Sequence, residues 1–349
     1  MFKNLFKSPD VKEIKKSGNE KQLIKLLGHK DANLRAEAAK TLGQIQSQSA
    51  IPYLKQMLAA PEDNVRRSVV EALSASNWQP ATPEENVVWR LACNQREEFS
   101  KFKNSDIPLL FESLQFKGLQ INAVVAFGYV WDENILKLLP QLLCADDPQL
   151  HEAIEQTLVK IGGPALEQLK EMLKQGRETF VENYCREKRA EFMSGGQLKL
   201  MTPDTTWMMM ANQIFSHSKR IIYLIENGSW PDNFILIEDN KLAAGIGKVT
   251  KDGTYNILIE AETNVPCEGK YTHTMNPGQN SIEFQLLQGD AFVARNNWEI
   301  GRFKVTRFQS DLEEKTETEI SLTVTAEDKI LLKAKDVKTN RQLEISQDY

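Results

Sequence analysis

The sequence has few of the residues that enzymes and secreted proteins use for chemistry and cross-linking. It contains four cysteines and four histidines in 349 residues. No two cysteines form a C-x-x-C pair, so structural thiols in a reducing compartment are expected at Cys93, Cys144, Cys185 and Cys267. The histidines form no H-E-x-x-H pattern, no G-x-S-x-G elbow is present, and Gly245-Ile246-Gly247 lacks the Lys-Ser/Thr of a P-loop. These absences predict a protein that is not an enzyme and that uses no cofactor and no metal.

Long apolar runs and an excess of positive charge are also missing. No segment approaches the roughly 18 consecutive apolar residues of a membrane-spanning helix, and Met1–Lys7 lacks the apolar core of a signal peptide. Hydrophobic residues make up 41%, charged residues 26%, and the formal net charge is −5. This composition is typical of a soluble globular protein without a broad nucleic-acid-binding surface. We therefore expect a cytoplasmic protein with no nucleic-acid and no membrane partner.

What is present, from about Asn19 onward, is a helical pattern that repeats. Asp31 is a plausible helix cap, and an apolar face follows it at Leu34, Ala38, Ala39, Leu42 and Ile45. The pattern returns after 31, 85 and 116 residues, at Val65, Val69, Val70 and Leu73, at Leu119, Ala123, Val124 and Phe127, and at Leu150, Ile154 and Leu158. A period near 31 residues with two helices per unit predicts an α-solenoid over residues 1–177.

The repeat also has a recognisable motif. An Asp followed by L/V-R-x-x-A/V-x-x-x-L occurs at Asp31–Leu42 and Asp63–Leu73, and A-I-P-x-L follows at Ala50–Leu54. This resembles HEAT repeats, which belong to the armadillo-like helical class, and implies a protein-binding concave face. Between the second and third copies, Gln79–Asn104 is predicted to be an irregular repeat. Trp89 and Phe99 in this stretch, with Trp78 immediately before it, either cover the repeat junction or bind a partner.

Residues 178–230 are predicted to connect this solenoid to a second domain. Glu178–Phe192 has the composition of a charged helix, and Arg220–Glu226 is either a buried strand or a buried helix. The Trp207–Met210 run is adaptable apolar surface. We expect it to pack between the two domains, with ligand docking as the alternative.

Residues 231–349 contain short alternating strands separated by turn signals, which predicts a β-sandwich. The clearest stretch is Ser281–Arg295. Its inward residues alternate with outward ones over a first strand, Gly289-Asp290 supplies a turn, and Ala291–Asn296 is predicted to be the return strand. Gln342–Ser346 is predicted to be the last edge strand.

Ordered motifs in this module resemble the peptide-binding β-domain of the heat-shock-70 chaperones. They lie at Phe234–Glu238, Leu242–Ile246, Leu258–Pro266, Ile282–Arg295 and Ala334–Asp336. The resemblance implies an extended peptide held in a groove between two loops, with main-chain hydrogen bonds for affinity and one apolar pocket for preference. Carried over by position, the peptide-binding residues are Ile246, Val249, Thr272, Met275, Ile282 and Phe284.

These six residues have different expected roles. Ile246, Ile282 and Phe284 line the pocket, with core packing as the alternative for each. Met275 forms one side of an arch over the peptide, and Lys248 or Val249 forms the other side. Thr272 stands where the family has a pocket Phe, which implies a wider or more polar pocket.

Since neither a nucleotide-binding domain nor a helical lid accompanies the module, no ATP-driven cycle is expected. The sequence predicts a non-enzymatic, ATP-independent protein- or peptide-binding scaffold or chaperone-like adapter. Expected partners are proteins and unfolded or extended peptides, including a chaperone or an assembly partner. Two alternatives stay open: a purely structural adapter or oligomerisation protein, and an enzyme, because HEAT repeats of this type also resemble those of bilin lyases.

Overall fold

The computed structural model describes residues 19–194, 204–231, 234–306 and 315–348, so that the Met1–Lys7 stretch lies outside the described residues. The chain divides into two compact units. One is Met1–Leu136 with Glu152–Ile161, and the other is Lys137–His151 with Gly162–Tyr349. The domain boundaries placed after residues 177 and 230 stay predictions.

The described part of the chain contains twelve α-helices. They are α1 (Glu20–Leu26), α2 (Ala32–Gln44), α3 (Ile51–Gln56), α4 (Asp63–Ala75), α5 (Pro83–Cys93), α6 (Ile107–Ser113), α7 (Lys117–Phe127), α8 (Glu133–Gln141), α9 (Pro148–Ile161), α10 (Gly163–Leu173), α11 (Arg177–Ser194) and α12 (Asp204–Asn227). Short 3-10 turns lie at Arg96–Lys101, Asn104–Asp106, Leu142–Cys144 and Ala294–Asn296. In the part of the chain that the structure describes, none of these helices is long and apolar enough to cross a membrane.

The predicted repeat register is confirmed by equivalent hydrogen bonds. Asp31 caps α2 by accepting from the Asn33 N–H at 2.8 Å. Arg35 donates to the carbonyls of the loop before α2, at 2.7 and 3.1 Å. Arg66, its equivalent in the next copy, does the same to the loop before α4, at 2.7 and 2.9 Å. The repeated apolar positions are buried, among them Ala38, Leu42, Val65, Val69, Leu73, Leu119, Ala123, Phe127, Ile154 and Leu158.

One predicted face residue is wrong. Ile45 is 48% exposed, because α2 ends at Gln44 and Ile45 is its C-cap with non-helical backbone angles. Because the backbone leaves the helix at Ile45, this side chain does not point towards the buried face of α2.

The described residues of the connector are helical except at Gly228–Trp230. Arg220–Glu226 lies within α12, so the strand alternative for it is wrong. Trp207 and Met210 are half-buried, so the expected packing of the Trp207–Met210 run is contradicted at Met208 and Met209, which are 47% and 40% exposed. They occupy the outward side of a helix whose next turns bury Ala211, Ile214 and Phe215.

The strands of the second unit form one antiparallel, barrel-like sheet and a small hairpin. They are β1 (Ile237–Glu238), β2 (Lys241–Leu242), β3 (Ile246–Val249), β4 (Tyr255–Ile259), β5 (Cys267–Met275), β6 (Ser281–Gln288), β7 (Trp298–Thr306), β8 (Thr316–Val324), β9 (Ile330–Asp336) and β10 (Gln342–Asp348). Eight of them are joined in the order β4-β3-β6-β7-β10-β9-β8-β5.

The sheet is nearly closed rather than a sandwich, which corrects the predicted architecture. Its two end strands approach each other, because a Cβ added at Gly269 of β5 would lie 2.8 Å from the Leu258 carbonyl of β4. The strand β10 makes the sheet continuous. It pairs with β7 over five residues and with β9 over two, so it joins two layers into one sheet and is not the predicted edge strand.

The strand–turn pattern at Ser281–Arg295 is confirmed only in its first half. The strand β6 ends at Gln288 as predicted, but Ala291–Asn296 is a loop and the return strand β7 begins at Trp298. Asn297 explains this, because its side chain accepts from the Ala291 N–H at 2.9 Å and donates to the Ala291 carbonyl at 2.8 Å. The loop closes on this side chain rather than on a strand partner.

Candidate functional site

Two strand edges of the barrel have no partner among the described strands. The strand β3 stops early, with Lys248 opposite Leu286. Residues Ser281–Phe284 of β6 therefore pair with β7 on one side and with no described strand on the other. The strand β5 pairs with β8 along its whole length and likewise has no described strand paired on its opposite edge. Both edges present main-chain donors and acceptors that a further strand could use.

Side chains from three strands converge between these edges. The Tyr271 ring of β5 meets the Phe284 ring of β6 edge to face, with centroids 5.8 Å apart. The Lys248 ammonium of β3 lies 4.0 Å from the centroid of the Tyr271 ring. All three side chains are half-buried. We call the region between β5 and β6 that is bounded by Lys248, Tyr271–Met275 and Ile282–Phe284 the groove.

The apolar floor of the groove continues into a buried cluster. Met275 and Ile282 are 1% and 3% exposed and pack with Val305, Ile320 and Ala334. Phe284 contacts this cluster and stacks on Phe303 at a centroid distance of 5.7 Å. The floor is therefore held in place by the barrel core beneath it.

The structure brings three of the six predicted site residues together: Met275, Ile282 and Phe284. Ile246 is completely buried in the main core, against which Phe284 also packs. Val249 lies in a separate cluster with Tyr255 and Leu287 and lines a cleft of about 500 Å³ between the β3–β4 turn and the β6–β7 loop.

Thr272 is exposed, and its neighbour Tyr271 faces Phe284 instead. Successive residues of a strand point to opposite faces, so the prediction of Thr272 was one residue away from the inward-facing Tyr271. Counting back by twos from the buried Met275 would have found Tyr271 and His273 from the sequence. Lys248 was one of the two residues considered for the arch.

The titratable groups of the groove are shifted by burial. Burial lowers the pKa of the Lys248 ammonium and raises that of the Tyr271 hydroxyl. Burial, then the charges of Lys248 and Lys251, lower the pKa of His273. The Tyr271 hydroxyl is buried and has no hydrogen-bond partner among the described residues, so a ligand acceptor could satisfy it.

Polar side chains fix the far end of β6. Gln288 is completely buried; it accepts from the Leu236 N–H at 2.8 Å and donates to the Ala244 carbonyl at 3.2 Å. Asp290 accepts from the Gly245 N–H at 3.1 Å and from Arg177 of α11 at 2.6 Å. These bonds hold β6 and the loop before β3 in a fixed register, which in turn positions the groove.

In the first unit, the aromatic residues of the irregular repeat separate into two groups. The rings of Trp78 and Trp89 meet edge to face at 5.3 Å, and Lys55 lies 5.8 Å from the Trp78 ring. Phe99 is fully buried and packs against Phe102 and Tyr129. Phe99 is thus core, while the half-buried Trp78 and Trp89 remain available to either interpretation.

Comparison with known proteins finds HEAT repeats in the N-terminal part of the chain. A family model of HEAT repeats matches residues 11–75. HEAT repeats generally mediate protein interactions, which is consistent with protein partners. Among solved structures, the crystal structure of an engineered protein is 16% identical, over 60% of this chain and 87% of that chain, with a TM-score of 0.20. A score that low carries no argument about fold or function.

Proposed function

We propose that the chain is a non-enzymatic, ATP-independent protein-binding scaffold whose groove holds an extended apolar peptide. The observation that supports this most strongly is the pair of strand edges that have no partner among the described strands, on either side of a half-buried aromatic floor. Peptides bind such edges by adding a strand, with main-chain bonds for affinity and pockets for side-chain preference. A partner on the HEAT repeats is the second proposed interaction.

The energetics favour weak, reversible holding. A Leu-sized side chain buried against the Tyr271 and Phe284 rings would contribute about 1.5–3 kcal/mol, and each main-chain hydrogen bond about 0.5–1.5 kcal/mol. Association itself costs at least about 4 kcal/mol. With about four such bonds the net gain is at most about 5 kcal/mol, so we expect a dissociation constant in about the millimolar range.

The resemblance to the heat-shock-70 peptide-binding domain supports the same proposal. Its ordered motifs cover most of residues 234–346, and the positions that match the arch and the pocket include Met275, Ile282 and Phe284, which the fold groups together. Tyr271, rather than Thr272, supplies the aromatic ring of the proposed pocket.

A structural adapter with a permanently covered groove is the second candidate. It is favoured by the position of Lys248, whose ammonium covers the Tyr271 ring at 4.0 Å. A peptide that enters the groove must displace this side chain, or must make use of it.

The test compares two neighbouring residues on opposite faces of β5. A fluorescent Leu-rich peptide is titrated with the full chain and with Tyr271→Ala and Thr272→Ala, and polarisation is measured. We expect Tyr271→Ala to weaken binding about tenfold or more, and Thr272→Ala to leave it unchanged because that side chain is exposed on the outer face. Circular dichroism melting curves check that both variants fold. Absence of binding by the unmodified chain, or equal weakening in both variants, contradicts the proposal and leaves the adapter.

A further inference from the structure

We propose that the groove selects apolar peptides that carry an acidic residue beside their apolar anchor, and that Lys248 determines this preference. The inference rests on the proposed function, because it names the class of peptide that the same groove takes. The inference comes from the charges around the groove, which are positive although the module that contains the groove has a negative net charge.

The module as a whole is acidic, but the titratable side chains of the described residues that face into the groove are cationic or neutral. Residues 231–349 contain 14 Lys/Arg and 20 Asp/Glu. Lys248 comes from β3, Lys251 from the turn that follows it, and His273 from β5. Both lysines lie close enough to His273 to lower its pKa by repulsion, which indicates a local positive potential.

The neighbouring carboxylates are engaged elsewhere or face outward. Asp252 accepts a hydrogen bond from the Thr254 hydroxyl within its own turn, at 2.8 Å. Glu283 of β6 is exposed on the other face of the strand and pairs with Lys304 at 2.9 Å. No carboxylate of the described residues forms an ion pair with Lys248.

Lys248 is therefore a partly desolvated cation whose contact is an aromatic face. Its ammonium lies 4.0 Å from the Tyr271 centroid, and its burial lowers its pKa. A charge in such surroundings gains more from a carboxylate than an exposed lysine does, since charge-assisted hydrogen bonds strengthen where water is excluded. A basic residue at the same place on a peptide meets repulsion instead.

The geometry places the carboxylate of a bound peptide next to that peptide's apolar anchor residue. The Tyr271 and Phe284 rings are 5.8 Å apart, and Lys248 contacts the Tyr271 ring directly. In an extended peptide, side chains two residues apart lie on the same face about 7 Å from each other. An Asp or Glu flanking the Leu-like anchor therefore reaches the Lys248 ammonium without leaving the groove.

Three fluorescent peptides test this with the full chain. They share a Leu-rich centre and are flanked by Asp, by Ser or by Lys, and their affinities are compared by polarisation at low and high salt. We expect the Asp-flanked peptide to bind about tenfold more tightly than the Ser-flanked one, a ratio that shrinks at high salt because screening weakens the ion pair. Lys248→Gln should bring the ratio close to one, Lys248→Arg should keep it, and the exposed Lys333→Gln serves as the matched control that leaves it unchanged.

The outcomes separate the two proposals. Binding of all three peptides with no acidic preference, or a preference that Lys248→Gln leaves intact, overturns the inference and leaves the peptide-binding function standing. Binding by none of the peptides overturns both. An NMR titration gives an independent readout, since the Asp-flanked peptide should raise the pKa of His273 and the Ser-flanked peptide should not.

Discussion

The ion pair between Arg177 and Asp290 gives the sharpest stability prediction for the second unit. The Arg177 guanidinium lies 2.6 Å from the Asp290 carboxylate, and the two side chains are 12% and 8% exposed. Arg177 also donates to Asn212 at 3.1 Å and to the Ala243 carbonyl. Replacing it by Met removes the partner of a buried carboxylate while keeping most of the side-chain volume.

The expected cost follows from what Asp290 retains. Without Arg177 its carboxylate keeps the hydrogen bond from the Gly245 N–H at 3.1 Å, but its charge is uncompensated. Breaking a buried pair in this way costs about 3–5 kcal/mol. The double variant Arg177→Met, Asp290→Asn should cost about 2 kcal/mol less than the sum of the two single variants, because an amide needs no counter-charge.

The assay must report on this unit alone, since the chain has two. Hydrogen–deuterium exchange of β6 and β7, followed by mass spectrometry under native conditions, gives the opening free energy of these strands. Arg302→Met is the matched control, because Arg302 and its partner Glu299 are 67% and 44% exposed and such pairs contribute less than about 1 kcal/mol. Equal effects of Arg177→Met and Arg302→Met would refute the reasoning.

Two further predictions concern single residues of the second unit. Gly289→Ala should destabilise the β6–β7 loop by about 1–3 kcal/mol, because the φ of Gly289 is 149° and an added Cβ would meet the Asn297 side chain at 2.1 Å. Amide hydrogen exchange of β6 and β7 checks this prediction, and an unchanged opening free energy contradicts it. His217 packs against Trp298 and His151, and burial, followed by repulsion from His151, lowers its pKa to about 3. Because the unfolded chain binds a proton near pH 6.5 and the folded chain does not, stability should fall as the pH drops from about 6.5 towards 3, by at most about 1.4 kcal/mol per pH unit from this group. The free energy of unfolding, measured with denaturant at several pH values, should change less with pH in His217→Asn than in the unmodified chain. An equal pH dependence in both contradicts this account.

Sequence periodicity predicted the helical repeats well because each copy repeats the same local interactions. The buried Ala38 and Leu42, the Asp31 cap and the Arg35 bonds all lie within a few residues of each other along the chain. Ile45 was placed wrongly because periodicity cannot show where a helix ends.

Strand existence was predictable from alternation, whereas closure of the sheet was not. Inward and outward residues alternate in the same way in a sandwich and in a barrel. The joining strand β10 depends on which residues pair across long distances, such as Ile345 with Val305. The groove residues could not be fully predicted for the same reason. Whether Tyr271 or Thr272 faces inward depends on the strand register, and a shift of one residue moves each side chain to the opposite face of the strand.

Amide exchange in the groove tests the central claim most directly. If an extended peptide adds a strand to these two edges, every second amide along β5 and along Ser281–Phe284 should exchange more slowly when peptide is present. Amides of β9, which is far along the sheet order from β6, should exchange at unchanged rates. Peptide binding that leaves the β5 and Ser281–Phe284 amides unprotected would contradict the account.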